Sequence, residues 1–317
     1  MRRACLLLLV MAFAALTPVV AQQRPGDSAL GDGSLKVVHV QGNVYLFSGA
    51  GLNTTVEIGQ FGPLVVDTPP AALMPQMLAE MRKLSPWPAR FLLHTTADAD
   101  YLSGDAALLA SSRTLEAWIH NNLYNRLLAA PNGPVALPAS TITYAESMVD
   151  TFNSEAVVIY QIPAAHTDSD SVVFFRRSDV ISTGPIYTPG RYPVIDLEKG
   201  GTINGLIDAV YRVLELAVPG NFASEGTVII PGRGRLAEES DLGEYRNMLV
   251  IMKDRILAMK SKGMTLTQVQ TSRLSVDYDT EYHATPADAS RFIESIYRTL
   301  PQAPGPVRQP IPKKGAK

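Results

Sequence analysis

The sequence predicts an α/β protein, and three observations carry that reading. Residues 37–66 alternate short β-branched runs with turn residues, residues 71–84 place apolar side chains at helical spacing, and residues 91–93 form an apolar strand that opens into a polar loop. The first stretch divides into 37–40, 44–47, 54–58 and 64–66, with Gly42-Asn43 and Gly62-Pro63 between strands, which reads as an antiparallel meander ending at Asp67. Leu73, Met77, Met81 and Leu84 share one helical stripe, and Ser85-Pro86 ends it. The loop after the third stretch, HTTADADYLSGD at 94–105, holds Asp98 and Asp100 two positions apart. A sheet holds such a loop rigid while leaving its side chains in a cleft, so this is the first place to look for chemistry.

Further along, residues 105–110 predict a short helix, and 115–128 a second one enclosing His120 as a surface or packing residue. Residues 157–162 predict a strand, 172–175 and 180–182 a hairpin, 205–216 a helix and 227–230 a strand. Helices at 240–260 and 286–300 close the domain, the second with Thr285 placed to cap it and Pro286 in its first turn. His39 and His283 stand apart from any chemical grouping and read as structural.

Both ends of the chain read differently from this domain. Arg2-Arg3 precede an apolar run over 4–16, and Val19-Val20-Ala21 supplies small residues before Gln22, so residues 1–21 read as a secretory signal peptide. The run is too short to span a membrane as a helix. Cys5, the only cysteine, lies inside it, which leaves a mature chain of 22–317 without disulfides and dependent on its core. The expected organisation is a polar leader over 22–36, one domain over 37–300 and a Pro-rich basic tail over 301–317, in the periplasm or secreted. A net charge of −2 gives no ground for nucleic-acid or membrane partners.

The loop at 94–105 resembles the metal-binding loop N-T-H-x-H-x-D-H-x-G-G-N of the metallo-β-lactamase fold superfamily. His94-Thr95 take the place of N-T, Asp100 that of the aspartate, and Gly104-Asp105 that of the closing G-N; the three ligand histidines fall on Thr96, Asp98 and Tyr101. Pro163 to Ser171 resembles the second loop, G-H-T-x-x-D-S, and keeps its histidine as His166. Pro185 in Thr183-Gly184-Pro185 stands where T-G-D carries a bridging aspartate, and Arg233 in Pro231-Gly232-Arg233-Gly234 where P-G-H-G carries a histidine. Tyr192-Pro193-Val194-Ile195-Asp196-Leu197 is similar to the Y-P-x-I-D-L run of periplasmic hydrolases of that superfamily.

The resemblance implies a four-layer αβ/βα sandwich and, in its enzymes, hydrolysis by a zinc-bound hydroxide. Zinc lowers the pKa of bound water from about 15.7 to about 7, and needs about three imidazole, thiolate or carboxylate ligands with one position open. The first site would be Thr96, Asp98 and His166, where a neutral hydroxyl is a poor ligand; the second would be Asp100, Tyr101 and Arg233. Arginine has no acceptor and stays protonated. Without a dication Asp98 and Asp100 would repel, one would tend to protonate, and Arg233 could supply the missing charge.

The expectation is therefore an exported relative of the hydrolases that needs no cofactor. It would bind a small polar molecule or a protein partner in a cleft walled by Thr96, Asp98, Tyr101, Pro185 and Arg233. The alternative is a working ester, thioester or lactam hydrolase. It would hold a single divalent metal, zinc or manganese, on Asp98, Asp100 and His166, with Asp168, Asp170 or His94 as further donors and Asp100 as the catalytic group. Metal-free acid/base chemistry by Asp100, Tyr101 and His166 is the third class.

Overall fold

The computed structural model describes residues 34–129, 137–221 and 225–301. The signal-peptide and tail assignments, and most of the leader, lie outside the described residues.

The meander forms as β1 (Lys36–Gln41), β2 (Val44–Gly49), β3 (Leu52–Glu57) and β4 (Leu64–Val66), each antiparallel to the one before. A single 3-10 turn, Ala71–Leu73, leads into α1 (Met74–Leu84), whose Met74, Met77 and Met81 are buried while Leu84 at its end is exposed. β5 (Phe91–Leu93) then pairs parallel to β4. Two short helices follow, α2 (Ala99–Leu102) and α3 (Asp105–Ser111).

The next segment corrects the sequence reading. Residues 116–120 are not helical: β6 (Glu116–His120) runs parallel to β5, and only then does α4 (Asn121–Ala129) begin, so His120 ends a strand. Its ring stays structural, 2.9 Å from the Ala145 carbonyl oxygen. β7 (Ser140–Tyr144) closes the seven-stranded sheet as its edge.

The second sheet has five strands in the order β12-β11-β10-β9-β8. These are β8 (Ser147–Phe152), β9 (Glu155–Ile162), β10 (Asp170–Phe175), β11 (Val180–Gly184) and, after α5 (Ile203–Leu216), β12 (Val228–Pro231). α6 (Glu239–Ser261), α7 (Leu266–Thr271), α8 (Val276–Asp279) and α9 (Pro286–Thr299) complete it. Thr285 caps α9 as the sequence predicts, accepting from Asp288 N–H while Asp288 accepts from the Thr285 N–H.

Side-chain alternation explains the layering. Val173, Phe175 and Val180 point at Val44, Leu64, Leu93 and Trp118 of the other sheet, while Val172 and Ile181 point outward at α5, α6 and α9. On the outer face of the first sheet, Phe47, Val56 and Leu92 pack on the methionines of α1. The order helix, sheet, sheet, helix is the four-layer αβ/βα sandwich, and it carries the ends of β5, β9, β11 and β12 toward one rim.

Candidate functional site

At the end of β4, Asp67 adopts φ +60°, a left-handed conformation rare for non-glycine residues, and its carboxylate accepts from Thr95 N–H at 2.8 Å and Thr95 Oγ at 2.5 Å. This fixes the start of the loop after β5. Gly184, at φ +53°, packs against it from β11; a Cβ there would meet Thr95 Oγ1 at 2.1 Å, so only glycine fits. The Pro231–Gly234 turn is pinned from β3, where Asn53 Nδ2 donates to the carbonyls of Pro231 and Gly234 at 2.9 and 2.8 Å.

Two ionic groupings sit on this frame. The first is interior. His94 is fully buried, with Nε2 2.9 Å from Asp105 Oδ2 and Nδ1 3.8 Å from Asp67 Oδ1. Burial works against its charge, but Asp105 and then Asp67 outweigh that and keep the imidazole protonated up to about 10.

The second lies at the rim and divides in two. Arg233 Nη2 donates to Asp100 Oδ2 at 2.7 Å and Nη1 to the Gly51 carbonyl at 3.3 Å, with the guanidinium 5.5 Å from the Tyr101 ring centre. Asp98 does not share this arginine. It takes a hydrogen bond from His166 Nε2 at 2.9 Å and faces Lys199 Nζ at 3.4 Å, and Lys199 also pairs with Asp196 at 2.8 Å. Burial would favour the neutral acid, yet His166 and Lys199 hold Asp98 below its ordinary range, so this acid keeps its charge and takes up no proton.

His166 is the decisive residue. Nδ1 lies 2.8 Å from the Val194 carbonyl and Nε2 2.9 Å from the Asp98 carboxylate. With Asp98 ionised both partners accept, so each ring nitrogen donates and the side chain is an imidazolium. Burial opposes that charge, but Asp98 and Asp170 raise its pKa to about 9. An imidazolium has no lone pair to give a metal.

The other sequence candidates are placed as follows. Thr96 and Tyr101 are buried, and Thr96 Oγ1 and Tyr101 Oη have no hydrogen-bond partner among the described residues. Burial raises the Tyr101 phenol well above its ordinary value, despite Arg233 nearby, which argues against a general-acid role. Pro185 is buried directly after Gly184. Asp168 pairs with Arg126 at 2.6 Å, and Asp170 is buried, accepting from Thr167 N–H and Oγ. Burial raises Asp170 to about 6, against the pull of His166. Among the described residues no group of three or more His, Cys, Asp or Glu side chains is placed to hold a metal ion. At the positions a zinc ion would need, one imidazole faces a carboxylate, the other carboxylate pairs with an arginine, and a threonine hydroxyl stands at the third place.

The sequence reading missed Lys199, which reaches Asp98 across 101 residues from the loop after the Asp196 turn. It also missed the interior role of His94, whose partners lie in two other elements.

The sequence matches no protein-family model and no curated protein. Solved structures do match. The sec-alkylsulfatase Pisa1 from Pseudomonas sp. is similar with a TM-score of 0.67 at 14% identity over 83% of this chain and 50% of that one. A double mutant of PisA1 is similar with a TM-score of 0.67 at 13% identity, over 88% and 52%. A metallo-β-lactamase from Pontibacter korlensis is similar with a TM-score of 0.56 at 15% identity, over 68% of this chain and 99% of that one. This chain has the metallo-β-lactamase fold. It spans about half the length of the alkylsulfatases it matches. At the rim built from the ends of β5, β9, β11 and β12 the ionic groups are paired to one another.

Proposed function

We propose that this chain is a metal-independent binding protein that uses the metallo-β-lactamase fold as a scaffold, with a small polar molecule or a protein as its partner. The observation that carries the reading is His166, whose two ring nitrogens are engaged by the Val194 carbonyl and the Asp98 carboxylate. Arg233 supports it, because a guanidinium, which has no lone pair for a metal, stands where a second metal would need a ligand and pairs with Asp100. Export belongs to the same proposal and rests on residues 1–21 alone. No helix among the described residues is long and apolar enough to cross a membrane.

Calorimetric titration of the purified protein with zinc and with manganese tests this reading. The expected result is no stoichiometric uptake of either and no chelator-sensitive hydrolysis of ester or lactam substrates. A second reading, the single-metal hydrolase on Asp98, Asp100 and His166, draws support from the contact of Asp98 with His166 and from the unpartnered Thr96 Oγ1 and Tyr101 Oη. One equivalent of tightly bound metal together with turnover would establish it in place of the first.

A further inference from the structure

We propose that the ligand site has moved out of the loop of residues 94–105 into the cleft beside it, and that it takes an organic anion with an apolar body, its acid group held by Arg191 and Arg233. This rests on the metal-independent reading and adds the chemical class of the ligand. The cleft measures about 1120 Å³ and runs between the loop of residues 188–198, the Gly51 turn, the Arg233 turn and α9. That is ample for a ligand of metabolite or drug size.

The cations of the cleft are not equivalent. Arg235 is held by a bidentate pair with Asp241, and Arg291 and Arg298 pair within one turn of α9, with Asp288 at 2.5 Å and Glu294 at 2.6 Å. Arg191 is exposed, and among the described residues no acid pairs with it; its backbone is set by a turn in which its N–H donates to the Thr188 carbonyl. Arg233 is held by Asp100, whose side chain is 69% exposed, by a long contact to the Gly51 carbonyl and by the Tyr101 ring face. A solvated carboxylate of that kind can be exchanged for a ligand's acid group at small cost. Glu198, the remaining acid of the lining, is exposed, so the cleft suits a single acid group better than a polyanion.

The apolar half of the ligand has a surface waiting for it. Val194 is 68% exposed although its own carbonyl is anchored by His166, so the loop presents the side chain outward with its backbone fixed. Pro189 and Pro193 flank it in the lining. Behind them Tyr192 is stacked on Phe292 at 4.6 Å and on Tyr282 at 5.1 Å, with its hydroxyl on Asp279 at 2.9 Å, which makes a rigid wall. Fixed apolar walls in a cleft also lined by arginines favour an amphiphilic anion, because little is ordered on binding.

The test uses two fluorescent probes with the same kind of apolar body, 8-anilinonaphthalene-1-sulfonate and the neutral N-phenyl-1-naphthylamine. The sulfonate is expected to bind at one saturable site roughly tenfold or more tighter than the neutral probe. Arg191→Ala and Arg233→Ala should each weaken the sulfonate about tenfold and leave the neutral probe unchanged, Arg191→Lys should retain part of the affinity, and Arg246→Ala on α6 should change nothing. Equal binding of the two probes, or sulfonate affinity unaltered in both arginine variants, overturns the proposal. Arg191 is exposed, so its loss leaves the fold intact and keeps the result readable even if Arg233→Ala melts early. Running the titration with and without equimolar zinc separates the two proposals. Zinc uptake with the sulfonate effect intact refutes the metal-independent reading alone, and no zinc uptake with no sulfonate effect refutes the cleft alone.

Discussion

His94 and Arg233 each set a cation against carboxylates within one loop region, and solvent makes them opposites. His94 lies with Asp67 and Asp105 where water does not reach, so removing it strands two carboxylates in the interior. Arg233 meets an Asp100 that is mostly hydrated, so removing it returns a carboxylate to water. The difference teaches that the interior charges hold the loop in shape while the rim charges stay free to exchange partners. The first kind is a structural requirement, the second a solvated pairing that costs little to lose.

The largest expected effect follows from breaking the interior group. His94→Ala should destabilise by about 3–5 kcal/mol in urea unfolding. A loss below about 1 kcal/mol would mean the carboxylates are hydrated and the contrast with the rim is false.

A buried carboxyl sharpens the comparison through pH. Glu57 is completely buried and accepts from Asn153 Nδ2 at 2.7 Å; burial, then Glu155 nearby, raise its pKa to about 8. The folded chain therefore holds a proton there that the unfolded chain releases near 4.5. Its contribution is complete below 4.5 and is lost as pH rises toward 8, at about 1.4 kcal/mol per pH unit at most. His94 has the same sign at higher pH, full below 6.5 and lost as pH rises toward about 10. Glu57→Gln should remove up to about 1.4 kcal/mol per pH unit of decline between pH 5 and 8 and leave the decline due to His94. An unchanged slope in that window would show the carboxyl to be ionised in the folded chain.

At the rim the effects shrink. Arg233→Ala should cost about 1 kcal/mol or less, and a double-mutant cycle with Asp100→Asn should give a coupling of a few tenths of a kcal/mol. Coupling above about 2 kcal/mol would place the rim pair with the interior group.

Much of the fold is legible because its signals are local. The meander shows in β-branched runs with turn residues, and α9 in Thr285-Pro286 ahead of its apolar stripe. β6 was hidden because residues 115–128 keep helical spacing across a strand that is nearly all buried, where no polar alternation can mark it. β7 and β8 were hidden because sheet-edge strands such as SMVDTF are largely exposed and carry few apolar residues. At the site, the sequence exposes the replaced ligand positions and the possibility of an Arg233 pair with the acids. It cannot show how the two acids divide, since Asp98 finds its cations in His166 and Lys199, 68 and 101 residues away. The role of His94 likewise depends on a residue brought in from the end of β4.

The central claim is that His166 is a doubly protonated cation and so no metal ligand. Nitrogen-15 NMR of the histidine ring at pH 7, with and without zinc, reads this at the atom concerned. Two protonated ring nitrogens, unmoved by zinc, are the expected result. A single unprotonated nitrogen whose resonance shifts on adding zinc would contradict the account.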